Sequence, residues 1–175
     1  MSILKVARMG HPVLRQRARP LEKAALRDPL TQKLIDDLID TMHEYHGVGL
    51  AAPQVHEDLR LFVALLDEEP GPDSEPIAII NPEITPQGDA TNDGWEGCLS
   101  IPDIRGMVPR FTEILVRALD RTGRPIELTL THFAARVAQH ETDHLDGVLF
   151  FDRMTSMQSL TYLEEYSRYH AKESD

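Results

Sequence analysis

The sequence of 175 residues contains a single cysteine, Cys98. One cysteine cannot form a disulfide within the chain, which excludes the small folds that depend on disulfides. Such sparse cysteine usage is typical of a reducing compartment, and it leaves the thiol available to bind a metal or to react. A chain of this length buries about 70% of the surface that its unfolded form exposes, so a hydrophobic core can stabilise it.

Long apolar runs are also missing. No segment is long enough to span a membrane, and residues 1–10 lack the apolar stretch of a secretion signal. We therefore expect a cytoplasmic protein that has no membrane partner.

Basic residues are in the minority, with 18 Lys and Arg against 29 Asp and Glu, so the net charge is −11. This balance argues against broad binding of nucleic acid or anionic lipid, and no direct nucleic-acid binding is expected. The composition is otherwise ordinary for a globular protein. A monomer with one domain over residues 1–175 is the expected organisation.

Three helices are predicted. Asp28 is a good N-cap, and Pro29 occupies the first position of an amphipathic helix that Gly47 would end. A second helix is predicted over Phe133–Leu145, and a last one over about 155–170.

The middle of the chain has the composition of strands and loops. Strands are predicted at Leu59–Leu66, at Ile77–Ile80 before Asn81-Pro82, and in a hairpin of Glu113–Leu119 with Ile126–Leu130. Residues 67–76 are a predicted loop, and residues 85–94 are predicted to be a loop or the end of a hairpin. Helices at both ends with strands between them predict an α+β fold with antiparallel or mixed sheets.

The second helix contains His140-Glu141-Thr142-Asp143-His144, an H-E-x-x-H pattern. Residues four apart share a helix face, so both imidazoles can point at one ion. Glu141 is close enough to reach a water on that ion, as in metalloproteases. Phe133 and Val137 continue the same face towards the N-terminus. The sequence thus predicts sheets packed around a central metal-binding helix.

The spacing alone leaves the third protein ligand open. A catalytic site of this kind uses three protein ligands and keeps one position for water. Cys98, in Glu96-Gly97-Cys98-Leu99-Ser100, is one candidate. The downstream candidates are Asp152, Glu164, Glu165 and His170. A downstream acid as third ligand would favour a zincin-type metallopeptidase. A non-catalytic metal-binding or peptide-binding protein is a further hypothesis.

Three segments together resemble the motifs of the peptide deformylase family. They are Gly47-Val48-Gly49-Leu50-Ala51-Ala52-Pro53-Gln54, Glu96-Gly97-Cys98-Leu99-Ser100 and Gln139-His140-Glu141-Thr142-Asp143-His144-Leu145-Asp146-Gly147. They occur in the order found in that family. The opening residues 3–15 are also similar, so the resemblance covers nearly the whole chain.

The resemblance implies removal of the N-formyl group from the first methionine of new polypeptides, with release of formate. It implies that Cys98, His140 and His144 hold one divalent metal, which is Fe(II) in many members, with Zn(II), Ni(II) or Co(II) also possible. Glu141 would act as general base and then acid on a water activated by that metal. The Gln54 amide and the Leu99 backbone N–H would donate hydrogen bonds to the developing oxyanion.

The resemblance also implies a peptide site. Val48 and Gly49 border the substrate in the family, and Arg105 resembles a position near the bound peptide. Val48, Phe133 and Val137 are candidates for an apolar methionine pocket, although simple core packing explains them equally well. The expected partner is a formyl-methionyl peptide or nascent chain. Some relatives dock on the ribosome through a basic C-terminal helix, and the mixed charge of this C-terminus leaves a transient contact open.

Overall fold

The computed structural model describes residues 2–72 and 74–171. Over these residues it has three α-helices, α1 (Pro29–Glu44), α2 (His132–Leu145) and α3 (Leu163–Tyr169). The strands are β1 (Gly49–Ala51), β2 (Leu61–Ala64), β3 (Ile77–Pro86), β4 (Thr91–Cys98), β5 (Ile101–Phe111), β6 (Glu113–Leu119), β7 (Pro125–Thr131) and β8 (Thr161–Tyr162). Short 3₁₀ helices lie at Pro12–Arg15, Ala25–Arg27, Ala52–Val55, Phe150–Arg153 and Met157–Ser159.

The strands form two sheets, one with the order β1-β2-β3-β6-β7 and one with the order β4-β5-β8. Every pair of neighbouring strands in these sheets is antiparallel. The predicted α+β class is therefore confirmed. None of the described helices is both long enough and apolar enough to cross a membrane.

Helix α1 begins where the sequence predicted. The Asp28 side chain accepts a hydrogen bond from Leu30 N, and Pro29 occupies the first turn, where its missing N–H costs nothing. Ile35, Leu38 and Met42 lie on one face and are fully buried. This face packs on β2, which positions β1 and the loop before it.

Helix α2 lies between the two sheets and contacts β1, β2, β6 and β7 on one side and β5 on the other. Its buried alanines, Ala134, Ala135 and Ala138, allow the backbone to approach Phe62 and Ile114 closely. Because the side chains on this face are short, the helix can lie close to the larger sheet. Its other face is directed at the β4–β5 hairpin. The expected central position of this helix is confirmed.

The β3 prediction was too short. The strand runs through Asn81-Pro82 to Pro86, because a bulge between Ile80 and Glu83 absorbs the proline. Asn81 has a positive φ of 52°, and its side chain bonds the backbone N and O of Leu21 at 2.9 and 2.7 Å. Strand β2 is also shorter than predicted. The β6–β7 hairpin is confirmed.

The hairpin of β4 and β5 was missed, because residues 91–94 were predicted to be a loop or the end of a hairpin, whereas they begin β4. The outer half of β4 is exposed and polar, so it lacks the alternation by which a strand is recognised. Its partner β5 supplies the missing stabilisation through a register that runs from Thr91↔Phe111 to Cys98↔Ile101.

The C-terminal helix prediction was wrong over its first half. Residues 157–159 form a 3₁₀ turn, β8 follows, and only Leu163–Tyr169 is α-helical. The Ser159 hydroxyl accepts a hydrogen bond from Met107 N at 3.0 Å, and β8 pairs with β5. These tertiary hydrogen bonds hold the segment extended and override its local helix preference.

Candidate metal centre

Three possible metal ligands meet between the β4–β5 hairpin and α2. Cys98 ends β4, and His140 and His144 are one turn apart on α2. One donor atom from each lies within 4.8 Å of the others, and Cys98 Sγ is 3.2 Å from His144 Nε2. Helical spacing explains the two imidazoles, and the pairing of β4 with β5 brings the sulfur to them.

The charges of these groups favour metal binding. Burial raises the pKa of the Cys98 thiol, but the two neighbouring imidazoles outweigh it and hold the pKa well below its ordinary value. The thiolate is the form that binds metals. A thiolate with two imidazoles is a donor set that suits first-row divalent metals such as Fe, Co, Ni and Zn.

Glu141 adds a buried carboxylate beside these ligands. It is only 4% exposed, and its Oε2 has no hydrogen-bond partner among the described residues. Burial raises the pKa of this carboxyl. A buried carboxyl oxygen without a partner is costly, so its retention beside three metal-type donors fits a site that binds and activates a metal-linked water.

Glu96 supports the ligand His140. Its Oε2 lies 2.9 Å from His140 Nδ1. Burial raises the pKa of Glu96, but hydrogen bonds from His140 and Arg110 outweigh it and hold the pKa well below its usual range. Glu96 is therefore a carboxylate that accepts the Nδ1 proton. With Nδ1 directed at Glu96, His140 Nε2 is the ring nitrogen that would bind a metal.

A buried ion-pair network extends behind Glu96. Arg110 donates to both Glu96 oxygens at 2.8 and 3.0 Å and to Asp143 Oδ2 at 2.6 Å. Arg153 donates to the same Asp143 from the opposite side. Sequence reasoning assigned no role to Glu96 or Arg110. Glu96 lies in a quoted motif beside Cys98, whereas no spacing signal could have identified Arg110.

Gln54 is oriented by a hydrogen bond at each end of its amide. Its Oε1 accepts from Ala51 N at 2.8 Å, so its Nε2 is directed to Cys98 Sγ at 3.5 Å and Ser100 Oγ at 3.3 Å. Leu99 lies in the turn between β4 and β5, against the same cavity. Both predicted oxyanion donors are thus brought beside the three possible ligands.

Cys98, His140 and Glu141 line a cavity of about 350 Å³. All five residues predicted to bind peptide line it: Val48, Gly49, Arg105, Phe133 and Val137. Val48 and Phe133 are each 38% exposed, at the mouth, whereas Val137 is buried. Trp95 also lines the cavity and was not predicted. The apolar candidates therefore face a common space, which core packing alone does not explain.

Arg136 does not point its charge freely into that cavity. Its guanidinium donates to Glu96 Oε1 at 2.9 Å, to Val108 O at 2.7 Å and to Asn92 O at 2.9 Å. The side chain packs so closely over Gly94 that a Cβ there would lie 2.7 Å from its Cζ. Arg136 thus forms part of the cavity wall with its charge already paired.

The downstream candidates for a third ligand lie elsewhere. Asp152 pairs with Arg15, while Glu164 and Glu165 pair with Arg168. His170 packs its ring 5.0 Å from that of Trp95. Among the described residues, Cys98 alone joins the two histidines within ligand distance. The geometry therefore does not favour a zincin-type site.

Comparison with known proteins gives a consistent result. A family profile described as polypeptide deformylase matches residues 3–160. The chain is 46% identical over 168 residues to peptide deformylase 2 of a Nostoc species. This alignment covers 94% of this chain and 93% of that protein. It is 44% identical over 170 residues to peptide deformylase 1 of Prochlorococcus marinus, over 94% of this chain and 88% of that protein.

Solved structures agree in fold. Peptide deformylase from Thermotoga maritima superposes with a TM-score of 0.80 at 42% identity, covering 89% of this chain and all of that one. A class I type b peptide deformylase from Acinetobacter baumannii, solved with Met-Ala-Ser bound, gives 0.81 at 36% identity, covering 87% of this chain and 99% of that one. With a profile match over most of its length and near full-length relatives well above 30% identity, this chain belongs to the polypeptide deformylase family.

Proposed function

We propose that this chain is a metal-dependent hydrolase that removes the N-formyl group from the N-terminal methionine of new polypeptides, releasing formate and a free amine. The observation that carries the proposal is the meeting of Cys98, His140 and His144 beside buried Glu141 at the end of an open cavity. Membership in the polypeptide deformylase family supports the same substrate class.

Cys98, His140 and His144 would hold one divalent metal, and we propose Fe(II) as the native ion, with Zn(II), Ni(II) or Co(II) able to occupy the site. When bound, such a cation lowers the pKa of a water molecule to about 7 and so makes hydroxide available at neutral pH. The thiolate and the imidazole held by Glu96 support this ligand set.

Glu141 is proposed to move the proton. Its unpartnered Oε2 accepts a proton from the attacking water and delivers it to the nitrogen of the leaving amine. Rigid placement on α2, between His140 and the backbone of β1, keeps the carboxylate within reach of both positions. A buried and fixed base needs little reorganisation during the reaction.

Gln54 Nε2 and the Leu99 backbone N–H are proposed to donate hydrogen bonds to the formyl oxygen as it gains negative charge. The Ala51 N–H holds the Gln54 amide so that its donor end is directed into the site. Loss of one comparable donor raises the barrier by about 2.7–4 kcal/mol.

The peptide is proposed to lie along the cavity wall. Val48, Phe133 and Val137 would receive the methionine side chain, while the Gly49 backbone and Arg105 would border the peptide. The relative solved with Met-Ala-Ser supports binding of peptide beyond methionine. The proposal further includes a cytoplasmic monomer with one catalytic domain over residues 1–175, and a transient ribosome contact during translation.

The test is formate release from formyl-Met-Ala under anaerobic conditions, with Fe(II) or Ni(II) added to chelated protein. We expect the wild type to turn over when metal is added. Glu141→Ala should retain about one metal per chain but lose turnover, and Cys98→Ser should lose the metal. Peroxide should inactivate the Fe(II) form and spare the Zn(II) form. Unchanged turnover in Glu141→Ala, or full metal retention in Cys98→Ser, would contradict the proposed roles.

A further inference from the structure

Trp95 forms part of the cavity wall without a role in the proposed reaction. It lies on β4 next to Glu96, and the cavity that contains Cys98 and Glu141 reaches its indole. Arg105 of the paired strand β5 lines the same cavity. An indole and a guanidinium on the wall of one cavity offer an apolar surface together with hydrogen-bond donors.

The C-terminal segment, residues 161–170, packs on Trp95 and pairs with the strand that carries Arg105. The rings of Tyr166 and His170 lie 5.1 and 5.0 Å from the Trp95 ring. In the same segment β8 pairs with β5, and Thr161 is the register partner of Arg105. The segment therefore contacts both strands that carry these cavity-lining residues.

Helix α3 depends on this contact for its own stability. It has 7 residues, and isolated helices of fewer than about 12 residues are marginal in water. None of its residues is fully buried, and besides its contacts with β5 the segment packs on Trp95 through the rings of Tyr166 and His170. The position of the indole and the order of the segment are thus coupled.

The Arg105 side chain is similarly confined. It lies across Gly97 so closely that a Cβ there would be 2.7 Å from its Nε, and its Nη1 donates to Ile104 O at 3.0 Å. The guanidinium is therefore held along the backbone of β4 and keeps other N–H groups for a ligand. Together with Trp95 it contributes to the wall of the cavity.

We propose that the C-terminal segment is a specificity element, which positions Trp95 and Arg105 as a subsite for the apolar side chains that follow formyl-methionine in the peptide. This inference rests on the proposed deformylase function. Tyr166 acts through Trp95 and is a positioning residue. The segment should therefore affect the binding of longer apolar substrates and leave the chemical step unchanged.

The test compares Tyr166→Ala with the wild type on formyl-Met-Ala and formyl-Met-Leu-Leu. We expect KM for the longer peptide to rise about three- to tenfold, the worth of a lost aromatic contact, with kcat and KM for formyl-Met-Ala unchanged. Tyr166→Phe keeps the ring and should behave as the wild type. Tyr169→Ala is the matched control, because Tyr169 lies on the same helix, is 64% exposed and packs only beneath Arg168 among the aromatic contacts described.

Trp95 also gives a readout that does not need turnover, because it is the single tryptophan of the chain. Adding the product peptide Met-Leu-Leu should change its fluorescence in the wild type and in Tyr169→Ala, with weaker binding in Tyr166→Ala. Equal KM values for the longer peptide in Tyr166→Ala and Tyr169→Ala, or an emission that saturating peptide leaves unchanged, would overturn the inference. A wild type that binds this peptide but releases no formate would instead overturn the proposed function.

Discussion

At the scale of residues, the absence of a side chain at Gly49 leaves room for the carboxylate of Glu141. The backbone of β1 passes so close to α2 that a Cβ on Gly49 would lie 2.8 Å from Cγ and Cδ of Glu141 and closer still to Oε1. Gly49 does not have a positive φ, so the constraint is steric and comes from the carboxylate. The close approach also brings β1 to the edge of the cavity, where its backbone is available to a peptide.

We therefore predict that Gly49→Ala displaces Glu141 and lowers formate release by about 100-fold, the cost of misplacing a catalytic group by about 1 Å. The metal content should stay at the wild-type value, because the three ligands are not touched. The control is Gly71→Ala, since no atom lies within 4 Å of a Cβ at that position. Normal turnover in Gly49→Ala would remove Glu141 from its proposed role.

At the scale of elements, Arg110 is one of the buried links between the β4–β5 hairpin and α2. This residue on β5 reaches Glu96 on the neighbouring strand and Asp143 on the helix, and all three are buried. Burial lowers the pKa of Arg110, but the two carboxylates outweigh it and the pKa is raised. The guanidinium therefore stays charged, and its removal would leave two carboxylates buried with fewer partners.

We predict that Arg110→Ala lowers the free energy of unfolding by about 3–5 kcal/mol, the usual cost of breaking a buried ion pair. Arg117→Ala should cost less than about 1 kcal/mol, because its pair with Glu127 is exposed. Urea denaturation of chelator-treated protein measures both without a contribution from metal. A similar small loss in the two variants would show that the network does not hold the hairpin.

At the scale of the whole molecule, the possible ligands connect the smaller sheet to the central helix. Cys98 and His144 are 46 residues apart in sequence, so the unfolded chain rarely brings them together. A metal that binds the folded form in preference to the unfolded form stabilises it by mass action.

Adding Ni(II) to chelated protein at about a thousand times its Kd should therefore raise Tm by about 8–16 °C. Cys98→Ser should lose most of this shift. His43→Gln should retain it, because His43 is an exposed histidine on α1 outside the ligand group. Differential scanning calorimetry with and without metal measures the shift, and an equal response in both variants would contradict the ligand assignment.

The elements that were predictable depend on neighbours in sequence. Asp28-Pro29 starts α1 through its own hydrogen bond and fixed φ, and the β6–β7 hairpin closes over a polar turn at residues 120–123. The β4–β5 hairpin was missed because the outer half of β4 is exposed and polar and lacks the alternation of a strand, and β8 was missed because its partner β5 is distant in sequence. The prediction that β3 ends before Asn81-Pro82 was wrong for a similar reason. The distant residue Leu21 holds the bulge through which β3 continues.

By itself the sequence determined that His140, Glu141 and His144 lie together on one helix, because their spacing acts over a single turn. Its motifs also indicated the family. Only the tertiary structure decided that Cys98, and no downstream acid, meets the two imidazoles, because strand pairing and the Arg110 ion pairs set that distance. Long-range contacts of this kind leave no periodic trace in the chain, and the same holds for the packing of Tyr166 on Trp95.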